Sequence, residues 1–301
     1  MTHPAFLAFD TTGLWVGKFE TGYDGATSTA AAQVNSVDTS KIIIKPNVYS
    51  WRNITVGNMF KNSYDYQRNL DSHMMKNTEW GSVAYLQHST YGSQASVRIN
   101  NNSSYITGYA ATVEPTLGYA GGTSTAGNRV ESTSLGKDGT YTVNYLNTNS
   151  TVASTTNNYS GIYDMSGGVW EYVMGYTTGA TTVGGSSGIT SLYPNFFSNS
   201  AYSKYWDRYT STVNTNYNNR ILGDATGEMG PFGSEKDSDN NTRYKSSWYK
   251  DHAWFANSSG NLLLRGGGWH DGTSTGVFAF NGNSGGTNTN ISFRIVLAPT
   301  K

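Results

Sequence analysis

The sequence predicts an α+β fold with few helices, short strands and much irregular backbone. Three observations carry that prediction. Apolar residues alternate only over short runs, helical spacing is confined to residues 56–80, and tracts of Gly, Ser, Thr and Asn separate the two kinds of segment. Neither a repeat of fixed period nor a sharp shift in composition divides the 301 residues. The chain therefore reads as one domain, 1–301, with long decorated loops.

The elements follow in chain order. The run LWVGKFE at 14–20 alternates like a half-buried strand. After a polar stretch at 21–40, KIIIKP at 41–46 reads as a second strand stopped by Pro46. Over 56–80, Met59, Phe60, Tyr64, Tyr66, Met74, Met75 and Trp80 suggest helix, with Asp71 as an N-cap, and SVAYL at 82–86 continues the apolar face. Residues 118–158 suit short strands and long loops, 179–191 a glycine–serine loop, and 235–243 a charged, Asn-rich loop. Near the end, VFAF at 277–280 lies between two tracts of glycine and short polar residues, and FRIVL at 293–297 reads as a buried strand.

Composition narrows the function classes. A hydrophobic fraction of 36%, with 14% aromatic, is enough to bury a core. Charged residues make up only 13%, and 20 Lys+Arg balance 20 Asp+Glu, which leaves no electrostatic footprint for nucleic acid or an anionic membrane. No run approaches the ~20 apolar residues of a membrane span. The absence of cysteine rules out disulfides, thiolate metal sites and a cysteine nucleophile. The 22 Tyr and 8 Trp among many Asn, Ser, Thr and Gly suit an extracellular or virion protein that binds by polar and stacking contacts. Residues 1–6 carry no signal-peptide pattern, so the protein uses no signal of its own or a segment precedes Met1.

Most short motifs have ordinary readings. GGSSG at 184–188 formally matches a nucleophile elbow, but inside a glycine–serine run the match is cheap. His3, His73, His88, His252 and His270 show no metal-ligand spacing and read as packing or surface residues. DSDNN at 237–241 begins like a calcium loop, yet lacks the glycine at the sixth position and the glutamate at the twelfth. The informative run is YSGIYDMSGGVWEYV at 159–173: an apolar stretch, a tight glycine turn, then a strand with a large Trp and one carboxylate. Carbonyls turned out close to Glu171 suit a hard cation, and a core hairpin around Trp170 fits the same residues.

That run, then LRGGGW at 264–269 and ISFRIV at 291–296, resembles the formylglycine-generating-enzyme-like family, as does the WVGKFE strand at 15–20. The family pattern is G-x-Y-D-M-x-G-N-V-W-E-W, then R-G-G-S-W, then G-F-R. Here Gly168 replaces the Asn and Ser292 the last Gly. The resemblance implies the C-type-lectin-like fold in a loop-rich, formylglycine-generating-enzyme-like elaboration. It also implies structural calcium at Asp164, Gly167, Val169 and Glu171, with two of these donating backbone carbonyls and side-chain identity mattering only at Asp164 and Glu171. The family's thiol enzymes need a cysteine pair and its iron enzymes a histidine set. Neither is present, so the resemblance implies a binding member with no redox cofactor.

A closer likeness is to the fold's non-enzymatic branch, the receptor-binding and surface proteins of phages and bacteria, some varied by diversity-generating retroelements. Such elements mutate adenines, largely in Asn codons. Outside 277–280, every residue from His270 to Asn290 is His, Asp, Gly, Thr, Ser or Asn, as that chemistry would leave. The implied variable region is 265–296. Its ligand-binding face is Trp269, His270, Asp271, Thr273, Ser274, Thr275, Asn281, Asn283, Ser284, Thr287, Asn288 and Asn290. The expected function is a non-catalytic display protein on a phage tail or bacterial surface, an adhesin binding a protein or glycan receptor. Two alternatives stand beside it: a fibre- or pilin-like module that oligomerises, and a cysteine-free metal-dependent enzyme centred on His270 and Asp271.

Overall fold

The computed structural model describes residues 4–6, 13–27, 30–45, 48–90, 92, 154–156, 158, 160–177, 187–209, 221–226, 235–236, 242–243, 251–254, 260–268 and 275–299. Mixed helix and sheet with long irregular connections make up the architecture, in agreement with the expected α+β class.

The central strand is β5 (Trp170–Thr177), all eight residues of which are buried. Along one side it pairs antiparallel with β9 (Leu262–Gly266), which in turn pairs with β10 (Gly276–Asn283). Along the other side it takes two parallel partners, β11 (Ile291–Phe293) at its start and β6 (Asp207–Tyr209) at its end. Burial on both faces explains why β5 and β9 read as nearly continuous apolar runs. Alternate residues serve different cores. Val173 and Leu263 pack with Trp80 and Phe280, whereas Tyr172, Met174, Leu262 and Leu264 pack with Phe60, Trp51 and Phe293.

A smaller antiparallel sheet joins distant parts of the chain. There β12 (Ile295–Leu297) lies between β1 (Trp15–Val16) and β4 (His73–Met74). The expected opening strand at 14–20 forms its ladder over two residues only, with Trp15 72% exposed on the sheet edge. Beyond it the chain bends so that Phe19 and Glu20 turn inward. The expected second strand forms as β3 (Ile42–Ile43), paired with β2 (Gly22–Tyr23).

The helical region at 56–80 is two helices. α1 (Val56–Tyr66) starts at Thr55, whose hydroxyl accepts from the Asn58 amide, and buries Met59 and Phe60. α2 (Asn77–Ala84) is buried throughout, and the Glu79 carboxylate accepts from the Lys76 amide at its start. Asp71 is not an N-cap. It sits in the left-handed conformation (φ 51°) after a 3₁₀ turn, and its carboxylate accepts from Lys204 and Tyr205. The helical period fails here because His73 and Met74 are drawn into the small sheet. Residues expected as loop at 179–191 and 235–243 include the short helix Ile189–Leu192 and the paired strands β7 (Glu235–Lys236) and β8 (Thr242–Arg243).

Gly81 marks the tightest approach to α2. A Cβ there would meet the Gly223 carbonyl oxygen and lie 2.7 Å from the Asp224 backbone. Glycine to alanine inside a helix ordinarily stabilises by up to ~1 kcal/mol. Backbone cannot give way as a flexible side chain can, so Gly81→Ala is expected to destabilise by about 1–3 kcal/mol, measured by urea unfolding.

Candidate functional site

The glycine turn before β5 and the residue between β11 and β12 meet in a buried charged cluster. Arg294, fully buried, donates from Nε to Glu171 Oε2 at 3.0 Å and from Nη2 to Glu171 Oε1. It also donates to the carbonyls of Gly17 (2.7 Å) and Tyr163 (3.0 Å). Burial alone would lower the Arg294 pKa, but the charge and hydrogen bonds of Glu171, with the charge of Asp164, hold the guanidinium in its charged form. Glu20, likewise fully buried, accepts from the Val169 amide at 2.9 Å and from the Ser50 hydroxyl at 2.5 Å.

The two buried glutamates take different roles. Burial raises the Glu171 carboxyl, and Arg294 opposes that rise through its charge and its hydrogen bonds. Among the described residues Glu20 has no direct cation partner. Burial, then the charge of Glu171, pushes it up to about 8. Glu171 therefore carries the ion pair while Glu20 holds a proton near neutral pH.

This geometry accounts for Gly168. Its φ is +70°, and a Cβ would press on Glu20 Oε1 and lie 3.1 Å from the carboxyl carbon. The space a side chain would fill is taken by Glu20.

It also bears on the calcium expected at Asp164, Gly167, Val169 and Glu171. Both oxygens of Glu171 are hydrogen-bonded to Arg294. Asp164, left-handed at φ 61°, is buried within the field of the same guanidinium. These residues do not fit a cation ligated by Glu171, because a fixed positive charge already holds that carboxylate.

The face expected to bind ligand divides into four groups. Trp269, His270, Asp271, Thr273 and Ser274 lie outside the described residues, as does Ser186 of the glycine–serine run. Thr275 is a correction: it is fully buried, and its hydroxyl donates to the Gly268 carbonyl at 3.0 Å. Its neighbours Val277–Phe280 are buried too, and leave the β9 ladder at a register shift between Gly276 and Phe280.

Asn283 faces inward in part, its Oδ1 accepting from the buried Tyr172 hydroxyl at 2.5 Å and the Gly285 amide at 3.3 Å. Asn281 Oδ1 accepts from the adjacent Gly282 amide. Asn290 is half-buried with its carbonyl accepting from Trp170. Ser284, Thr287 and Asn288 are exposed.

The loop 284–290 is fixed at its backbone. The Asn288 carbonyl accepts from Asn53 N (2.8 Å), the Gly285 carbonyl from Val56 N (3.0 Å), and the Thr289 carbonyl from Arg52 Nη1 (2.8 Å). Partners so far upstream leave no periodic trace near 284–290, so the sequence reading missed them.

Elsewhere, two further buried polar groups stand out: His73, which packs in the interior, one of the two readings open to the histidines, and Asp207. His73 Nε2 lies 2.9 Å from Glu79 Oε1. Burial lowers the His73 pKa, yet the charge and hydrogen bond of Glu79 outweigh it, so the net direction is upward. Asp207, raised by burial to about 6, accepts from the Thr78 amide and caps the entry to α2.

No model of a known protein family matches the sequence, and no curated protein matches it.

Glu20 generates a pH test. Its folded pKa is raised from 4.5 to about 8, so folding retains a proton that the unfolded chain has lost between those values. This contribution to stability is complete below pH 4.5, declines as pH rises, and is gone above about 8. Glu20→Gln keeps an acceptor for the Val169 amide without the titration. The stability of the native protein relative to this variant is expected to fall across that window and be flat on either side, measured by urea unfolding at stepped pH.

Proposed function

We propose that the protein is a non-catalytic receptor-binding display protein of the C-type-lectin-like fold, in its formylglycine-generating-enzyme-like branch. Its place is a phage tail or a bacterial surface, and its variable region is 265–296. The receptor is a protein or glycan on a cell surface.

One observation carries the reading: loop 284–290 has a fixed backbone and an exposed edge of short polar side chains. Its carbonyls are bound by Arg52, Asn53 and Val56, while Ser284, Thr287, Asn288 and Thr289 face solvent. Because the main chain holds the loop, side chains such as Thr287 can be exchanged with little effect on folding. Short hydroxyl and amide groups adapt their hydrogen bonds to a partner, and a preordered backbone lowers the entropy lost on binding. That combination is what a surface meant to vary requires. The framework residues Phe280, Phe293 and Arg294 are buried and present nothing to a partner.

The contact face proposed from the described residues is narrower than the sequence suggested. It comprises Ser284, Thr287 and Asn288, joined by Thr289, with Thr275 and Asn283 assigned to the framework. Two variants separate the roles. Thr287→Arg with Thr289→Arg is expected to leave stability within about 0.5 kcal/mol of native while abolishing retention on bacterial cells that bind the native protein. Asn283→Ala removes the acceptor of a buried tyrosine and is expected to cost about 1–3 kcal/mol in unfolding free energy. Undiminished retention of the double variant would sink the surface assignment.

A further inference from the structure

Between the C-terminal end of β5 and the turn after helix Ile189–Leu192 lies a surface depression of about 320 Å³. Tyr176, Phe196 and Phe197 line its aromatic side, where Phe197 is half-buried and the other two are buried beneath it, and Thr190, Asn195, Ser198 and Arg208 complete it. The wall is braced from behind. Tyr176 and Phe197 have ring centroids 4.2 Å apart, and Trp206 stands edge-on to Tyr176 at 5.0 Å. Phe196 meets Phe197 at 5.0 Å and 89°.

Strand alternation supplies the charge. In β6, Asp207 and Tyr209 point into the core and Arg208 points out. Its register partner on β5 is Tyr176, and its positive charge is felt at the Tyr176 hydroxyl. Arg208 forms no salt bridge among the described residues. Asn195, held at φ 59° by a turn in which its carbonyl accepts from Ser198 and Asn199, leaves its exposed side-chain amide at the rim.

A volume near the lower end for small-molecule sites suits one sugar-sized ring. The chemistry selects which kind. The half-buried Phe197 ring offers a stacking face, the Arg208 fork matches a carboxylate, and the Thr190 hydroxyl, the Asn195 amide and the acceptor side of the Ser198 hydroxyl, which donates to the Asn195 carbonyl, match ring hydroxyls. A purely aromatic acid would leave those rim groups unmatched, and a cationic ligand would face Arg208.

We propose that this depression is a subsite for a carboxylated sugar ring, a uronic acid unit, stacked on Phe197 with its carboxylate on Arg208. The proposal is independent of loop 284–290, and its test involves none of that loop's residues.

The test is titration of the full chain with methyl β-glucuronide and methyl β-glucoside, followed by ligand-observed NMR and calorimetry. Native protein is expected to bind the glucuronide at least ~10-fold more tightly than the glucoside, because only the former makes the charge-assisted pair. Arg208→Gln, at an exposed position, is expected to remove that preference while keeping the native melting temperature. Phe197→Ala is expected to weaken both sugars. The proposal is overturned if native protein fails to bind the glucuronide, or binds both sugars equally. It is also overturned if Arg208→Gln binds like native protein, or if inorganic sulfate competes as well as methyl β-glucuronide, which would mark a general anion site.

Discussion

The fold depends on one buried ion pair, Arg294 with Glu171. Arg294 is the single residue between β11 and β12, where the chain leaves the large sheet for the small one. Its guanidinium joins the central strand to the carbonyls of Gly17 and Tyr163, so one side chain fixes three segments. A buried charge is tolerated only when its hydrogen bonds are met, and here carboxylate and carbonyls meet them together. Removing either partner would strand the other in a dry interior, a loss of about 3–5 kcal/mol.

Around that pair, the remaining polar groups follow by exclusion. Glu20 enters the same space without a cation to bind, so it takes up a proton, and Gly168 must then be a residue without a side chain. Three features of the sequence far apart in the chain, an acid in the opening segment, a glycine pair and a late arginine, thus answer a single electrostatic problem. The loop at 284–290 inherits its position from this centre, since it runs directly into β11 and is bound by Arg52 and Asn53 on the way.

Where burial follows a period, the sequence was readable. The strand of β5, the buried run of β12 and the helical spacing of α1 could be read from the sequence, whereas β9 was marked only by its family-like motif. Spacing failed where distant partners decide. Nothing local shows that His73 and Met74 leave the helical path for β12, or that Asp71 is needed by Lys204 and Tyr205. The polar site residues divide for the same reason. Thr275, Asn283 and Thr287 look alike in a Gly/Ser/Thr/Asn tract, yet the first two serve the Gly268 carbonyl and the Tyr172 hydroxyl while the third faces water. A carboxylate such as Glu171 is ambiguous in sequence because a metal ion and an arginine satisfy it equally well.

The small sheet has a consequence for how the molecule is made. Its middle strand, β12, is flanked by β1 and β4, so Trp15 pairs with Leu297 across nearly the whole length of the sequence. Closing so long a loop gains little until both partners are present, and contacts of this kind slow folding. During synthesis the first strand must wait, with Trp15 and its neighbours unpaired, until residues close to 297 have left the ribosome. Over that interval β1 and β4 have open edges that another chain can occupy, and protection of this segment falls to whatever the growing chain meets first.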